Sequence, residues 1–438
     1  MDHFLLTIGA ALVLAYIGAF ILKKLGISQT FGFMLAGIVL GLTSILTEQT
    51  IHDLQSFVAL ALGLIGYNIG HELSSPNLTK GRIRKLILIV FIEATTAFLL
   101  VTFLTFIILS SLGFPHPLPA TILLGAIASA TAPAATANVV WECACEGPVT
   151  FSLMFVLAAD DIIAVILTNS AIAFGLWVYV PGSQGFTSVL IEPVIGIFCS
   201  VIMGIVFGLI FLYPVNIEKD RGALLELEIG MVILLIGLIE FLNIFFRSQG
   251  LLIQFSDIFA AMVFGYLVGS RISHDKEQVP ELLEHVMAPI VMIFFVMVGA
   301  RMIQLLTTYE TLLLVIITVG LYLGGGAFGK YFGTALGGRI VNEVPAIQLY
   351  LGRCLLCQAG VALGLSFIIE ETFFALGGEA QIMGGMILGV VALSTMILEL
   401  IGPMAVRRSL VSANECSACR DAFQSHDDIH LDVSDNRP

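Results

Sequence analysis

Residues 123–170 read LLGAIASATAPAATANVVWECACEGPVTFSLMFVLAADDIIAVILTNS. Two apolar runs flank a turn at residues 145–148. The first is interrupted by Ser129, Thr131, Pro133 and Thr136, and the second carries Asp160 and Asp161 with about ten uncharged residues on either side. A charge at the centre of a bilayer costs on the order of 3 kcal/mol even on insertion scales, so adjacent carboxylates in such a run mark a working site. Pro133 has no N–H and clashes with the preceding turn. Interrupted backbone at membrane depth is tolerated only inside protein or along a watery cavity. The stretch therefore predicts a broken transmembrane helix beside an acid-bearing one.

Composition sets the same class. Hydrophobic residues make up 58% of the chain and charged residues 12%, with a mean hydropathy of +1.02, outside the range of soluble globular domains. A helix needs about 20 mostly apolar residues to cross a bilayer. Thirteen windows qualify: 4–22, 31–46, 54–72, 86–112, 118–140, 149–176, 188–213, 223–246, 251–270, 285–304, 311–336, 345–370 and 380–406. The expected fold is an all-α polytopic membrane protein, with a transmembrane domain over 1–408 and a short tail over 409–438. Residues 1–22 lack a basic start and a small-residue cleavage site, so they read as the first span rather than a signal peptide. No catalytic residues, cofactor or nucleic-acid partner are expected.

Cations give the orientation, because they accumulate on cytoplasmic loops. With the N-terminus outside, 15 of the 19 lysines and arginines fall on inner loops or the tail. Arg247 and Arg301 are left outside, and Lys330 and Arg353 lie within spans. The C-terminus is then cytoplasmic, and the expected setting is a bacterial or archaeal plasma membrane. Cys143, Cys145, Cys416 and Cys419 fall on that cytoplasmic side, where thiols stay reduced, so no disulfide framework is expected.

Asp160 lies about 16 Å along span six, near the middle of a core about 30 Å thick. Adjacent helical residues point about 100° apart, so Asp160 and Asp161 meet different neighbours. One can face an ion pathway while the other meets a cation, and Lys330, about 12 Å deep in span eleven, is the obvious one. Glu93 in span four reads as an inner-end charge paired locally. Glu226 and Glu228 read as interfacial acids at the start of span eight and Glu240 lies near its outer end, one of the three a partner for Arg353, and Asp257 reads as a mouth residue. The glycines of spans two and three, Gly32, Gly37, Gly41, Gly63, Gly66 and Gly70, recur at spacings that let helices approach closely in lipid.

A second break is expected in span twelve, where CLLCQAGVALGLSF carries Gln358 and Gly360. Spans five and twelve are an odd number apart, so they run in opposite directions. Inverted repeats with broken helices at mid-bilayer typify many secondary transporters. On that plan repeat one covers about 4–176, a linker helix about 188–213, and repeat two about 223–406.

These features resemble the cation:proton antiporter superfamily, in particular sodium/proton members with a paired-aspartate helix. The resemblance rests on GAIASATAPAATANVV (125–140), LAADDIIAVIL (157–167), FGKYFGTALGG (328–338), CQAGVALGLSF (357–367) and LSTMILELIGP (393–403). It implies that Asp161 carries the ion or the proton, that Asp160 pairs with Lys330, and that Thr131 sits where the broken helices cross. Sodium, or lithium, would be held by Asp161, Asp160 and Thr131, with Ser129, Pro133, Gln358 and Gly360 shaping the break. It also implies alternating access and a homodimer. Two departures bear on ion choice and stoichiometry: Ala132 stands where many relatives carry an acid, and Gln358 where many carry arginine.

Potassium/proton exchange is the alternative within transport. Intramembrane aspartyl proteolysis is disfavoured, because its two aspartates must face one water from separate helices. In the tail, Cys416, Cys419, His426 and His430 form a CxxC followed by two histidines, but the intervening gap is tighter than in zinc fingers, and a flexible tail is expected there.

Overall fold

The structure is a computed structural model describing residues 4–24, 27–43, 45–46, 48–72, 80–180, 186–217, 221–248, 254–271, 278–308 and 312–418. Cys419, His426 and His430 lie outside the described residues. Sixteen helices are present among those described: α1 (Phe4–Lys24), α2 (Gln29–Leu42), α3 (Glu48–Asp53), α4 (Gln55–Glu72), α5 (Lys80–Ser111), α6 (Pro117–Ala128), α7 (Pro133–Glu142) and α8 (Pro148–Tyr179) in the first part. The second part holds α9 (Phe186–Ile217), α10 (Arg221–Ser248), α11 (Asp257–Arg271), α12 (Gln278–Thr308), α13 (Leu312–Ile340), α14 (Pro345–Cys354), α15 (Gly360–Phe374) and α16 (Gly378–Ser412). Eight of these are long and apolar enough to cross a bilayer unaided. The thirteen expected passages become sixteen helices because spans five and twelve are each two half-helices and α3 is a short link.

The helices sort into two bundles. A core packs α5, α6/α7, α8, α13, α14/α15 and α16 together, and a panel packs α1, α2, α4, α9, α10, α11 and α12. They meet along a thinner seam where α16 touches α12 and α2, α8 touches α9, and α15 touches α4.

Within the core, α13 lies along α5 at backbone distance. A Cβ at Gly333 would sit 2.5 Å from Glu93 Cα, and one at Gly329 2.5 Å from Ala97 Cα. No side chain fits there, so the glycines of FGKYFGTALGG set the approach that brings Lys330 next to α5. Gly70 in the panel works in the same way, pressed on the Met262 carbonyl of α11.

At the end of the molecule where α7, α8 and α16 meet, the chain past α16 docks on the α7–α8 turn. Glu415 accepts hydrogen bonds from Val149 N (2.8 Å), Thr150 N (2.7 Å) and Thr150 Oγ1 (2.8 Å), capping the start of α8 with a carboxylate. Helix N-termini expose unpaired N–H groups and a positive partial charge, which a carboxylate satisfies. Cys145 and Cys416 are joined by a disulfide across 271 residues, and Cys143 is also disulfide-bonded. This corrects the expectation of reduced thiols. The turn and the tail meet only in the fold, so their spacing along the chain carries no sign of it.

Other expectations are also corrected. Glu228 is fully buried rather than interfacial, with the Tyr67 hydroxyl of α4 donating to it, while Glu226 is exposed. Arg353 pairs with neither acid; its guanidinium lies 5.3 Å from the Tyr331 ring and 5.9 Å from the Tyr350 ring. Arg301 is buried against Glu370, 2.7 Å from Nη2 to Oε1.

Replacing Gly333 by valine should destabilise the protein by about 1–3 kcal/mol through overpacking, whereas Gly320→Ala, which meets open space, should be neutral or better. Thermal unfolding in detergent compares the two. Glu415→Ala should cost about 1–2 kcal/mol, the range for losing a helix cap, in the same measurement.

Candidate functional site

The break in the first interrupted helix runs from Ser129 to Ala132. The helix is broken there as expected, and Pro133 occupies the first turn of α7, where its missing N–H costs nothing. The gap closes one residue earlier, where Ala132 takes an extended conformation. Ser129 closes α6 locally, its hydroxyl donating to Ala126 O at 2.8 Å. Ala132 N donates to Cys357 O of the second interrupted helix at 2.8 Å, so the two gaps cross and satisfy one another. Gln358, in the second gap, donates to Ile127 O at 3.1 Å and to Tyr322 Oη at 2.8 Å. Gly360 begins α15 immediately beyond it.

Lys330 arrives at this crossing from α13. Its ammonium donates to Ala130 O at 2.8 Å and to Thr131 Oγ1 at 2.7 Å. Thr131 in turn donates its one hydroxyl proton to Asp160 Oδ2 at 2.8 Å. Lys330 and Asp160 are thus linked through a threonine hydroxyl, with acceptor and donor capacity used in the only consistent direction. Lys330 is 4% exposed, so it does not reach back to the membrane surface. The freed carbonyl of Ala130 lies just past the C-terminal end of α6, where the helix dipole favours a cation.

Asp160 and Asp161 are both fully buried. Glu93 is fully buried too, with its carboxyl facing that of Asp160 and Lys330 close by. This overturns the reading of Glu93 as an inner-end charge. Helix α5 begins at Lys80, six residues before the expected span, which shifts Glu93 from the helix end toward its middle. The signal available in sequence was the apolar run LILIVFI that separates Glu93 from the basic cluster. Three carboxyls and one ammonium therefore share the interior around the crossing.

Against Lys330 lies a cavity of about 20 Å³, also bordered by Ala128, Tyr322, Gly326, Gln358 and Leu398. That is room for about one water. Glu226 and Arg353 are not part of this cluster, and Glu228 sits apart in the panel.

Helices long and apolar enough to cross a bilayer, with buried acids and a lysine at the crossing of two broken ones, define an integral membrane protein of the kind that moves ions. The chain belongs to the sodium/hydrogen exchanger family, matching the family described as sodium/hydrogen exchanger, transmembrane, over residues 9–408. No curated protein matches it. Its fold is similar to that of the sodium proton antiporter MjNhaP1 from Methanocaldococcus jannaschii at pH 8, with a TM-score of 0.74, 20% identity, and coverage of 93% of this chain and 98% of that one. A 3D EM map of MjNhaP1 gives a TM-score of 0.67 at 19% identity, covering 98% of both chains.

Thr131→Val keeps the shape but leaves a buried ammonium and a buried carboxylate each short of a partner. It should cost about 1–3 kcal/mol, while Thr131→Ser, which keeps the hydroxyl, should lie close to the parent protein in chemical or thermal unfolding.

Proposed function

We propose that the protein is a secondary active sodium (or lithium)/proton antiporter in which Asp161 carries the cation or the proton and Asp160 is coupled to Lys330. The observation that supports this most directly is the Lys330–Thr131–Asp160 chain at the broken-helix crossing, with Asp161 one residue further along α8. Sodium is a hard ion that prefers carboxylate, hydroxyl and carbonyl oxygens. Asp161, Asp160 and Thr131 offer these, with carbonyls freed by the break.

Competition follows from charge. With Glu93, Asp160, Asp161 and Lys330 all ionised, two negative charges stand uncompensated in a medium where isolated ions are costly. Protons or a metal cation can neutralise them, and each excludes the other. Loading the site from one side and emptying it to the other requires the core to move against the panel, and the seam between the bundles is the surface on which it slides. A proton released from the Asp160–Lys330 linkage in addition to one from Asp161 makes exchange electrogenic. The reading includes an inverted-repeat plan over about 4–176 and 223–406, basic loops facing the cytoplasm, and a homodimer.

Reconstituted vesicles test it. Sodium and lithium gradients should drive proton movement more strongly than potassium, and an imposed voltage should change the rate. Asp161→Asn should reduce exchange to the level of empty vesicles. Lys330→Ala should lower the number of protons moved per cation, read from the reversal potential. Exchange that ignores voltage contradicts the stoichiometry, and potassium-selective exchange moves the assignment to potassium/proton antiport.

A further inference from the structure

A lysine ammonium has three N–H donors. In Lys330 two of them go to the first gap, to Ala130 O and to Thr131 Oγ1. Among the described residues no protein atom accepts the third, and the carboxyl oxygens of Glu93 that face the ammonium take no hydrogen bond. The cavity of about 20 Å³ lies against the same side chain.

Its other polar walls are also incompletely paired. Gln358 Nε2 donates to Ile127 O and to Tyr322 Oη. A backbone carbonyl can only accept, so the contact with Ile127 fixes which end of the amide is the nitrogen. Gln358 Oε1 is then the atom left over, buried and without a hydrogen-bond partner in the protein. The Tyr322 oxygen accepts from Gln358, and its own proton is left to donate elsewhere. Two donors and one acceptor therefore border a single cavity. An anion there would meet the amide oxygen, and a cation would meet the ammonium. A water molecule offers two acceptor and two donor positions and suits all three.

Glycine supplies the room. Tyr322, Gly326 and Lys330 follow one another at four-residue steps on α13, so they lie along one side of it. Gly326 is buried and borders the cavity, yet a Cβ at that position would meet no atom within 4 Å.

We propose that this cavity binds one ordered water, which accepts from Lys330 and Tyr322 and donates to Gln358 Oε1. Tyr322 and Gln358 are then positioning residues for Lys330. The ammonium reaches the first gap directly and the second gap through the water and Gln358, so it pins the crossing from both sides. A buried charged donor without an acceptor is costly, and a bridging water removes that cost.

Two measurements on the full-length protein test the site. A cryo-EM map in lipid nanodiscs, fine enough to show other buried waters, should place one within hydrogen-bonding reach of Lys330 Nζ, Tyr322 Oη and Gln358 Oε1. The map of Gly326→Ala, which adds a methyl group to the cavity and changes no polar atom, should lack it. No density at that point in the parent protein, or density for an ion, overturns the proposal. In reconstituted vesicles, Gly326→Ala and Tyr322→Phe should each slow sodium-driven proton movement about tenfold, the effect of one hydrogen bond to a charged group. Gly320→Ala, at an exposed position of the same helix, should match the parent. Combined with Lys330→Ala, neither cavity substitution should slow exchange further, because the water then has no ammonium to hold. Losses that simply multiply overturn the positioning role. The vesicle measurement rests on the antiport reading and the map does not: a water seen in the map of a protein that moves no protons keeps the site and removes that reading.

Discussion

The interior of this protein depends on one constraint: an ammonium held away from water must find fixed oxygen atoms, and a regular helix has none to spare. Breaking the helix between α6 and α7 supplies them. Ala130 O, released from helical pairing, accepts from Lys330, and Thr131 passes the interaction on to Asp160. The N–H group exposed by the same break is met by Cys357 O from the second broken helix. Each gap thus removes the cost of the other, and neither stands alone in an apolar surround.

Much of the remaining architecture serves to hold that crossing. Glycines on α13 let its backbone touch α5, which carries Lys330 into the interior beside Glu93. Gln358 ties the end of α6 to Tyr322 of α13. At the basic end, the Glu415 cap and the Cys145–Cys416 disulfide link α8 to the chain leaving α16, so the acid-bearing helix and the last helix share a common level. The panel contributes a different kind of surface: it packs its own glycine-lined helices tightly and meets the core only along a narrow seam.

Charge explains why so few polar residues matter. Ion pairs and hydroxyls that would be unremarkable in water become directional and scarce in a low-dielectric interior. In the buried Arg301–Glu370 pair, Nε and Nη2 both donate to Oε1, with the guanidinium also 5.0 Å from the Phe374 ring, so opposite charges meet directly. The group around Asp160 is not balanced internally. That imbalance sets it apart from a structural ion pair.

The sequence alone determined that the chain is a polytopic helical membrane protein, that it has about thirteen passages, and that Asp160, Asp161, Thr131 and Lys330 were the residues to watch. Those features are legible because a charge or a proline inside an apolar run stands out against its own neighbours. Only the tertiary structure decided the partners. Glu93 joined the cluster because α13 presses on α5 at its Cα, opposite Gly333. Glu228 sank beneath Tyr67, and Arg353 stacked on two tyrosines instead of meeting an acid. Cys145 found Cys416. In each case the deciding fact is a contact between segments far apart in the chain, set by helix register and close backbone approach, and local composition carries no record of either.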